Sequence, residues 1–450
     1  MAELSLIASF IKAAIWHGGL DEASAMLADH PELATASIHT AAILGDEATV
    51  RKFLSHDPAS ATATAPPFGA NALTCLGLSR YLRLDPSRSA AFLQAATALL
   101  DAGANPNGGF MTEGSHPEFE TPLYGASGVA HHAGMTRLLI ARGADPNDDE
   151  VAYHTPESYD NGAMKVLVET GRMTRANLTM MLVRKHDWHD YDGARYLLEH
   201  GTDPNDDAGR GWLPMHHAIA RDNRLEMIQL LLDHGADPQR IKDGLTAVER
   251  AARRGRDDIL AEFERRGIPA ERQGLAGLIA ACARNDGAAI AAIAAQEPGS
   301  AQQLVANGVG LLVEFAGVGN SAGVSRLLDL GVPVGAPLVE GDGYWDLAPG
   351  STALHNAAWR ARPGTVKLLI SRGAPVNLRD HAGRTPLILA IKACVDSFWS
   401  DRRSPESVAA LLEAGASIDG VIYPTGYAEV DALLAARRIA PSSEPHPPND

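Results

Sequence analysis

Pairs of aliphatic residues followed by a glycine and a short polar turn recur along the chain. Leu99-Leu100-Asp101-Ala102-Gly103-Ala104-Asn105-Pro106-Asn107 is followed by Leu139-Ile140-Ala141-Arg142-Gly143-Ala144-Asp145-Pro146-Asn147. The same order returns at Leu197 to Asn205, Leu231 to Pro238, Leu369 to Asn377 and Leu411 to Asp419. Each segment reads as a helix end: the aliphatic pair packs the last turn, glycine takes the left-handed position after it, and Asp or Asn with Pro opens a turn. A second piece follows the turn, as in Thr121-Pro122-Leu123-Tyr124, Leu213-Pro214-Met215-His216, Thr352-Ala353-Leu354-His355 and Thr385-Pro386-Leu387-Ile388. This is a helix start, with Thr as the cap, Pro tolerated in the first turn, and following alanines that let a neighbouring helix approach closely. The alternation predicts paired short helices as the only extensive regular structure.

Together the two pieces resemble the ankyrin repeat, whose signature Thr-Pro-Leu-His-x-Ala plus Gly-Ala-Asp-x-Asn is matched with few departures at Leu213 to Pro238 and Thr352 to Asn377. The 34 residues from Gly201 to Gly235 agree with a period of about 33 for this repeat. Leu4 to Ala34, His39 to Ala61, Ala176 to Asn205 and Leu275 to Leu304 keep only the helix-pair pattern. The resemblance implies an all-α, ankyrin-repeat solenoid of about twelve helix-pair units with finger loops, curved with a concave face. Weak motifs near Gly267 to Gln273 are read as a division into an N-terminal stack, 1–270, and a C-terminal stack with a capping helix, 271–438. One diverged layer explains the same weakness. Residues 439–450, rich in Pro and Ser, read as a disordered tail.

Departures from the period mark exposed loops, because each unit must still stack on its neighbours. Gly103 and Gly143 lie 40 residues apart, and Gly331 and Gly373 lie 42 apart. The surplus falls in the turns Gly108 to Glu120 and Gly335 to Gly350, which carry Phe110, Glu118, Phe119, Glu120, Tyr344, Trp345 and Asp346. In the resembled family this turn is a finger beside the inner helices. Its aromatics and carboxylates therefore either serve binding or fold back over the next repeat. Two further insertions, Arg83 to Ala90 and Val395 to Pro405, lie between the helices of single repeats.

Composition narrows the function. The chain has 450 residues, 45% hydrophobic but only 5% aromatic, so its core must come from many small Ala and Leu contacts. With 39 Lys and Arg against 55 Asp and Glu, the net charge of −16 repels nucleic acid and anionic lipid. Cys75, Cys282 and Cys394 are far apart and without metal-type spacing, which reads as a reduced, cytoplasmic chain. The first 20 residues hold Glu3 and Lys12 within an apolar stretch and show no secretory pattern. Apolar runs such as Leu275 to Ala283 are too short to span a membrane.

Chemical motifs are weak. His131-His132 and His216-His217 are adjacent pairs whose side chains diverge on a helix, and the resemblance gives His216 and His355 a structural role. His186 and His189, three apart in a polar and aromatic segment, lack a third ligand and read as part of an inter-helix loop. Gly317 to Gly323 has the wrong spacing for a dinucleotide loop, and Gly125-Ala126-Ser127-Gly128 lacks a nucleophile elbow. No cofactor or metal is expected. Carrying the family's binding positions onto this chain gives Glu120, Gly128 and Val129, then Trp212, Ala220 and Arg221, then Ser351, Trp359 and Arg360. Trp and Arg are types enriched in binding hot spots. With Glu118, His217, Tyr344, Trp345 and Asp346 they form the candidate binding set. The reading is a non-catalytic scaffold holding a protein partner in the concave groove. The alternative is a small-molecule binding protein or enzyme with an acid/base site in that groove.

Overall fold

The computed structural model describes residues 2–84, 86–397 and 399–439, so the expected tail from 440 onward lies outside the described residues. They are mainly short helices. The recurrent glycine turn forms as the motif requires. Gly103, Gly143, Gly201, Gly235, Gly373 and Gly415 all have φ between 82° and 96°. The next amide in each case reaches back across the turn, as in Ala104 N to Leu99 O at 3.0 Å, Ala236 N to Leu231 O at 2.9 Å and Ala374 N to Leu369 O at 2.9 Å. These are the bonds of the glycine-terminated helix end. Helix starts are capped by the expected side chains: the Thr121 hydroxyl accepts from Tyr124 N, Thr385 from Ile388 N, and Thr352 forms a reciprocal box with His355.

The asparagine closing each turn links repeats. Asn107 donates to Gly143 O at 2.9 Å and accepts from Asp145 N at 2.7 Å. Asn205 does the same with Gly235 and Asp237, and Asn377 with Gly415 and Ser417. One side chain thus satisfies a carbonyl and an amide of the next turn and sets the spacing between layers.

The chain divides into two compact units, Met1–Asp237 and Pro238–Asp450. In the first unit, Ile38–Ile43, Ala72–Gly77, Pro122–Tyr124, Asp149–His154, Arg175–Asp187 and Pro214–Ala220 form one helix layer. Glu47–His56, Ser89–Asp101, Ala133–Ala141 and Gly162–Glu169 pack in order in a second layer. In the second unit, Val309–Val318, Ala353–Trp359 and Pro386–Val395 pack in order against one another, as do Ser321–Asp329, Pro363–Ser371 and Glu406–Glu413. The segment 267–273 lies inside the second unit, and Ala247–Arg253 packs on Gly274–Ala283 across it. Buried alanine pairs such as Ala95-Ala96, Ala251-Ala252 and Ala357-Ala358 account for the closeness of the helices. Two short hairpins, Thr64–Ala65 with Ala70–Asn71 and Phe110–Met111 with Phe119–Glu120, lie in turns of the first unit. Among the described residues, no helix is long and apolar enough to cross a membrane.

Candidate functional site

In the second unit the long turn folds back on its own repeat. An antiparallel bridge pairs Asp342 with Leu347, Tyr344 stays exposed, and Trp345 is buried. The exposure expected for Trp359 and Arg360 is corrected by the structure, which leaves them 3% and 0% accessible. Trp359 ends its short helix beneath the finger, where its indole N–H donates to Trp345 O at 2.7 Å. Trp399, from the inter-helix insertion, donates to Trp359 O at 2.9 Å. The Arg360 guanidinium lies 4.0 Å from the Trp345 ring centroid and 5.8 Å from that of Trp399. Aromatic faces therefore take the place of its water. Asp346 accepts from Arg384 at 3.0 Å and Lys392 at 2.7 Å. Burial opposes ionisation of Asp346, but these two hydrogen bonds outweigh it and hold its carboxyl below the usual range.

The first unit supplies the richer site. Phe110 of the hairpin stacks on Phe68 at 4.8 Å and meets Trp16 edge-on at 5.9 Å. On the opposite strand Glu118 is exposed while Glu120 is 1% accessible. Burial, reinforced by Glu150, Glu118 and Asp148, pushes the Glu120 carboxyl up to about 8. Its Oε2 has no hydrogen-bond partner. Next to it Pro122–Tyr124 runs into a π-helical turn, Gly125–Val129. Such turns are rare and concentrate at functional sites. Within it a Cβ on Gly128 would fall 2.8 Å from the His154 Cβ and 3.0 Å from the Tyr124 ring, so only glycine admits these two side chains together.

From His154 a chain of charges crosses successive first-layer helices. His154 lies between Glu150 at 3.2 Å and Glu157 at 2.9 Å. Burial lowers its pKa, but the hydrogen bonds to Glu150 and Glu157 win and raise it to about 9. Glu157 pairs with Arg184, which pairs with Asp187 at 2.5 Å and sits 4.1 Å over the Tyr153 ring. Asp187 Oδ1 meets His217 Nε2 at 2.7 Å and accepts from Arg221 Nε at 2.6 Å. Burial disfavours the Asp187 charge, but these bonds dominate and hold the carboxyl far below its ordinary value.

The structure thus joins His217 to Arg221 through Asp187, and gathers Tyr344, Trp345, Asp346, Trp359 and Arg360 around the second unit's finger. Trp212 is half-buried, with Arg210 6.0 Å from its ring. Tyr124, Glu150, His154, Glu157, Arg184 and Asp187 were not singled out from sequence. Their signal was the repeat register: His154, Arg184 and His217 are 30 and 33 residues apart, close to one repeat. His186 also differs from expectation. It sits in the last turn of Arg175–Asp187, fully buried, with neither ring nitrogen hydrogen-bonded, and burial lowers it to about 3. His355 fulfils its structural role, bonding Thr352 and Arg384 O. Among the described residues, no group of three or more His, Cys, Asp or Glu could hold a metal ion.

Comparison with known families agrees with the repeat geometry. A family model of ankyrin repeats in three copies matches residues 179–268, and one for a single ankyrin repeat matches 349–381.

Proposed function

We propose that this ankyrin-repeat protein is a non-catalytic binding scaffold. Its groove and long fingers hold a protein partner along the concave face of a solenoid of about twelve helix-pair units. Ankyrin repeats are generally protein-interaction modules. The observation that carries the reading is the charge ladder Glu150, His154, Glu157, Arg184, Asp187, His217 and Arg221. Its side chains are between 11% and 28% accessible, and each is paired with another. A partly buried strip of paired acidic and basic side chains, still reached by solvent, suits recognition of a protein surface of mixed charge. A general acid or base instead needs a group free to exchange its proton with substrate. The net charge of −16 argues against nucleic acid as the partner. The three unpaired, buried thiols support a reducing, cytoplasmic setting.

The test is affinity capture from native extract, identification of the captured protein, and its direct titration against wild type and His217→Ala/Arg221→Ala. The account expects at least about tenfold weaker binding by the double variant. Arg51→Ala, on a second-layer helix, should bind as wild type. Equal affinity for wild type and the double variant overturns this use of the groove.

A second reading, a small-molecule site or enzyme in the same groove, is favoured by one observation. Glu120 is a buried acid that stays largely protonated at neutral pH. A small molecule acting there would shift the Glu120 carboxyl band in infrared difference spectra with no protein partner present.

A further inference from the structure

The ladder leaves one cluster of buried polar atoms of the first unit unused. Glu120 Oε2 is a buried acceptor without a donor, and the buried Trp16 Nε1 has the Tyr124 hydroxyl as its neighbour without a well-formed hydrogen bond to it. Tyr124 connects them: burial first, then the Glu120 carboxylate, push its hydroxyl up, and the neighbouring Trp16 indole N–H pulls it down. Phe68 and Phe110 complete an aromatic cluster with Trp16, and Asp148 and Glu150 add negative charge. An orphan carboxyl among aromatic faces calls for a cation, and an indole N–H held only loosely by the Tyr124 hydroxyl can turn to a carbonyl. A peptide supplies both.

We infer that Trp16, Glu120 and Tyr124 receive one arginine side chain of a protein partner, with the Trp16 indole donating to a backbone carbonyl of the same peptide. Arginine is favoured over lysine because its planar fork matches a carboxylate while its face stacks on an aromatic ring. The second unit contains the same pairing internally, where Arg360 stacks on Trp345 at 4.0 Å. Since Glu120 is 1% accessible, the side chain inserts rather than resting on the surface. Insertion requires the hairpin carrying Glu120, closed by two residue pairs and by the bonds between Thr112 and Glu118, to open. This inference rests on the scaffold reading and specifies the partner's chemistry.

It has a proton signature. The groups facing Glu120 and Tyr124 are Glu118 on the same hairpin and Asp148, Glu150, His154 and Glu157 from the following repeat; His17 lies near His154 and is itself near Arg80. His154, at about 9, remains charged near neutral pH. Glu120, at about 8 when free, ionises as the guanidinium arrives. Binding at pH 7 therefore releases between about half and one proton, and affinity rises with pH, by at most about tenfold per unit, until Glu120 is ionised in the free protein and then levels off.

The experiment titrates the full-length protein calorimetrically with a short Gly-Ser peptide carrying a single arginine, capped at both ends, and with its lysine and citrulline counterparts. Two buffers of different ionisation enthalpy give the proton count. Expected are binding of the arginine peptide, at least about tenfold weaker binding of the citrulline peptide, and proton release within the stated range. Glu120→Gln should lose about tenfold in affinity and all of the proton release. Trp16→Phe should weaken binding about threefold and keep the release. No binding of the arginine peptide, equal binding of citrulline, or proton release that survives Glu120→Gln overturns the inference. If Glu120→Gln does not fold, the wild-type proton count and the citrulline comparison decide alone. Arg51→Ala, on a second-layer helix, should bind the arginine peptide as wild type does, and the ladder is read only by titration of the captured partner, so failure of the recess and failure of the ladder are separately visible.

Discussion

Trp359→Ala tests whether the second unit's tryptophans are packing elements or surface anchors. Trp359 is 3% accessible, donates its indole N–H to Trp345 O at 2.7 Å and meets Trp399 edge-on at 5.3 Å. The Lys392 ammonium lies 4.8 Å from its ring centroid. Truncating a large buried aromatic costs about 3–5 kcal/mol, and the Trp345 carbonyl also loses its donor, although water entering the cavity recovers part of that. Taking about 4 kcal/mol, and about 2–4 °C per kcal/mol for a unit of this size, the transition containing the second unit should fall by about 8–16 °C. Trp359→Phe keeps most of the ring contacts and loses the hydrogen bond, so a drop of about 3 °C is expected. Differential scanning calorimetry on wild type and both variants measures this. A shift below about 2 °C for Trp359→Ala would show that the indole contributes no packing and would refute the reasoning.

Three other perturbations follow from single side chains. Gly235→Val places a branched residue at φ 85° with nothing within 4 Å of the new Cβ, so a loss of about 1 kcal/mol or more is backbone strain alone; an unchanged urea midpoint would contradict it. Glu120 stays protonated in the fold up to about pH 8 while the unfolded chain ionises near its ordinary 4.5, so stability falls as pH rises from 4.5 to 8. Glu120→Gln should remove that fall and raise the melting temperature at pH 8 relative to pH 4.5; parallel pH profiles for the two proteins would refute it. His186 is neutral in the fold down to about pH 3 against 6.5 unfolded, so acid weakens the protein progressively below pH 6.5. His186→Leu, which removes two unpartnered ring nitrogens, should be near neutral at pH 7 and flatten the acid loss in pH-dependent chemical denaturation.

The helix ends were legible because a left-handed turn tolerates so few residue types: Gly103, Gly235 and Gly373 announce the turn wherever they occur. The asparagine after it was read as a turn former, and its second task, bridging Asn205 to Gly235 and Asp237, depends on a neighbour one repeat away. Burial of Trp359 was illegible for a similar reason. The residues that cover it, Trp345 and Trp399, come from a finger and an insertion whose paths the repeat pattern does not specify. Of the ladder, His217 and Arg221 stand out in the sequence, whereas His154 and Arg184 look ordinary singly and acquire meaning only in register with His217. Glu120 was selected as a binding position, but its raised pKa arises from its burial in the hairpin and from the negative charges of Glu150, Glu118 and Asp148 near it, which the sequence does not place.

Hydrogen–deuterium exchange of the full-length protein, with and without the partner identified by capture, tests the binding claim most directly. The account predicts new protection in peptides covering 149–157, 175–187 and 214–221, the segments that carry the ladder, with second-layer peptides such as 47–56 and 162–169 unchanged. Protection confined to the second-layer helices, with the ladder segments exchanging as in the free protein, would contradict it.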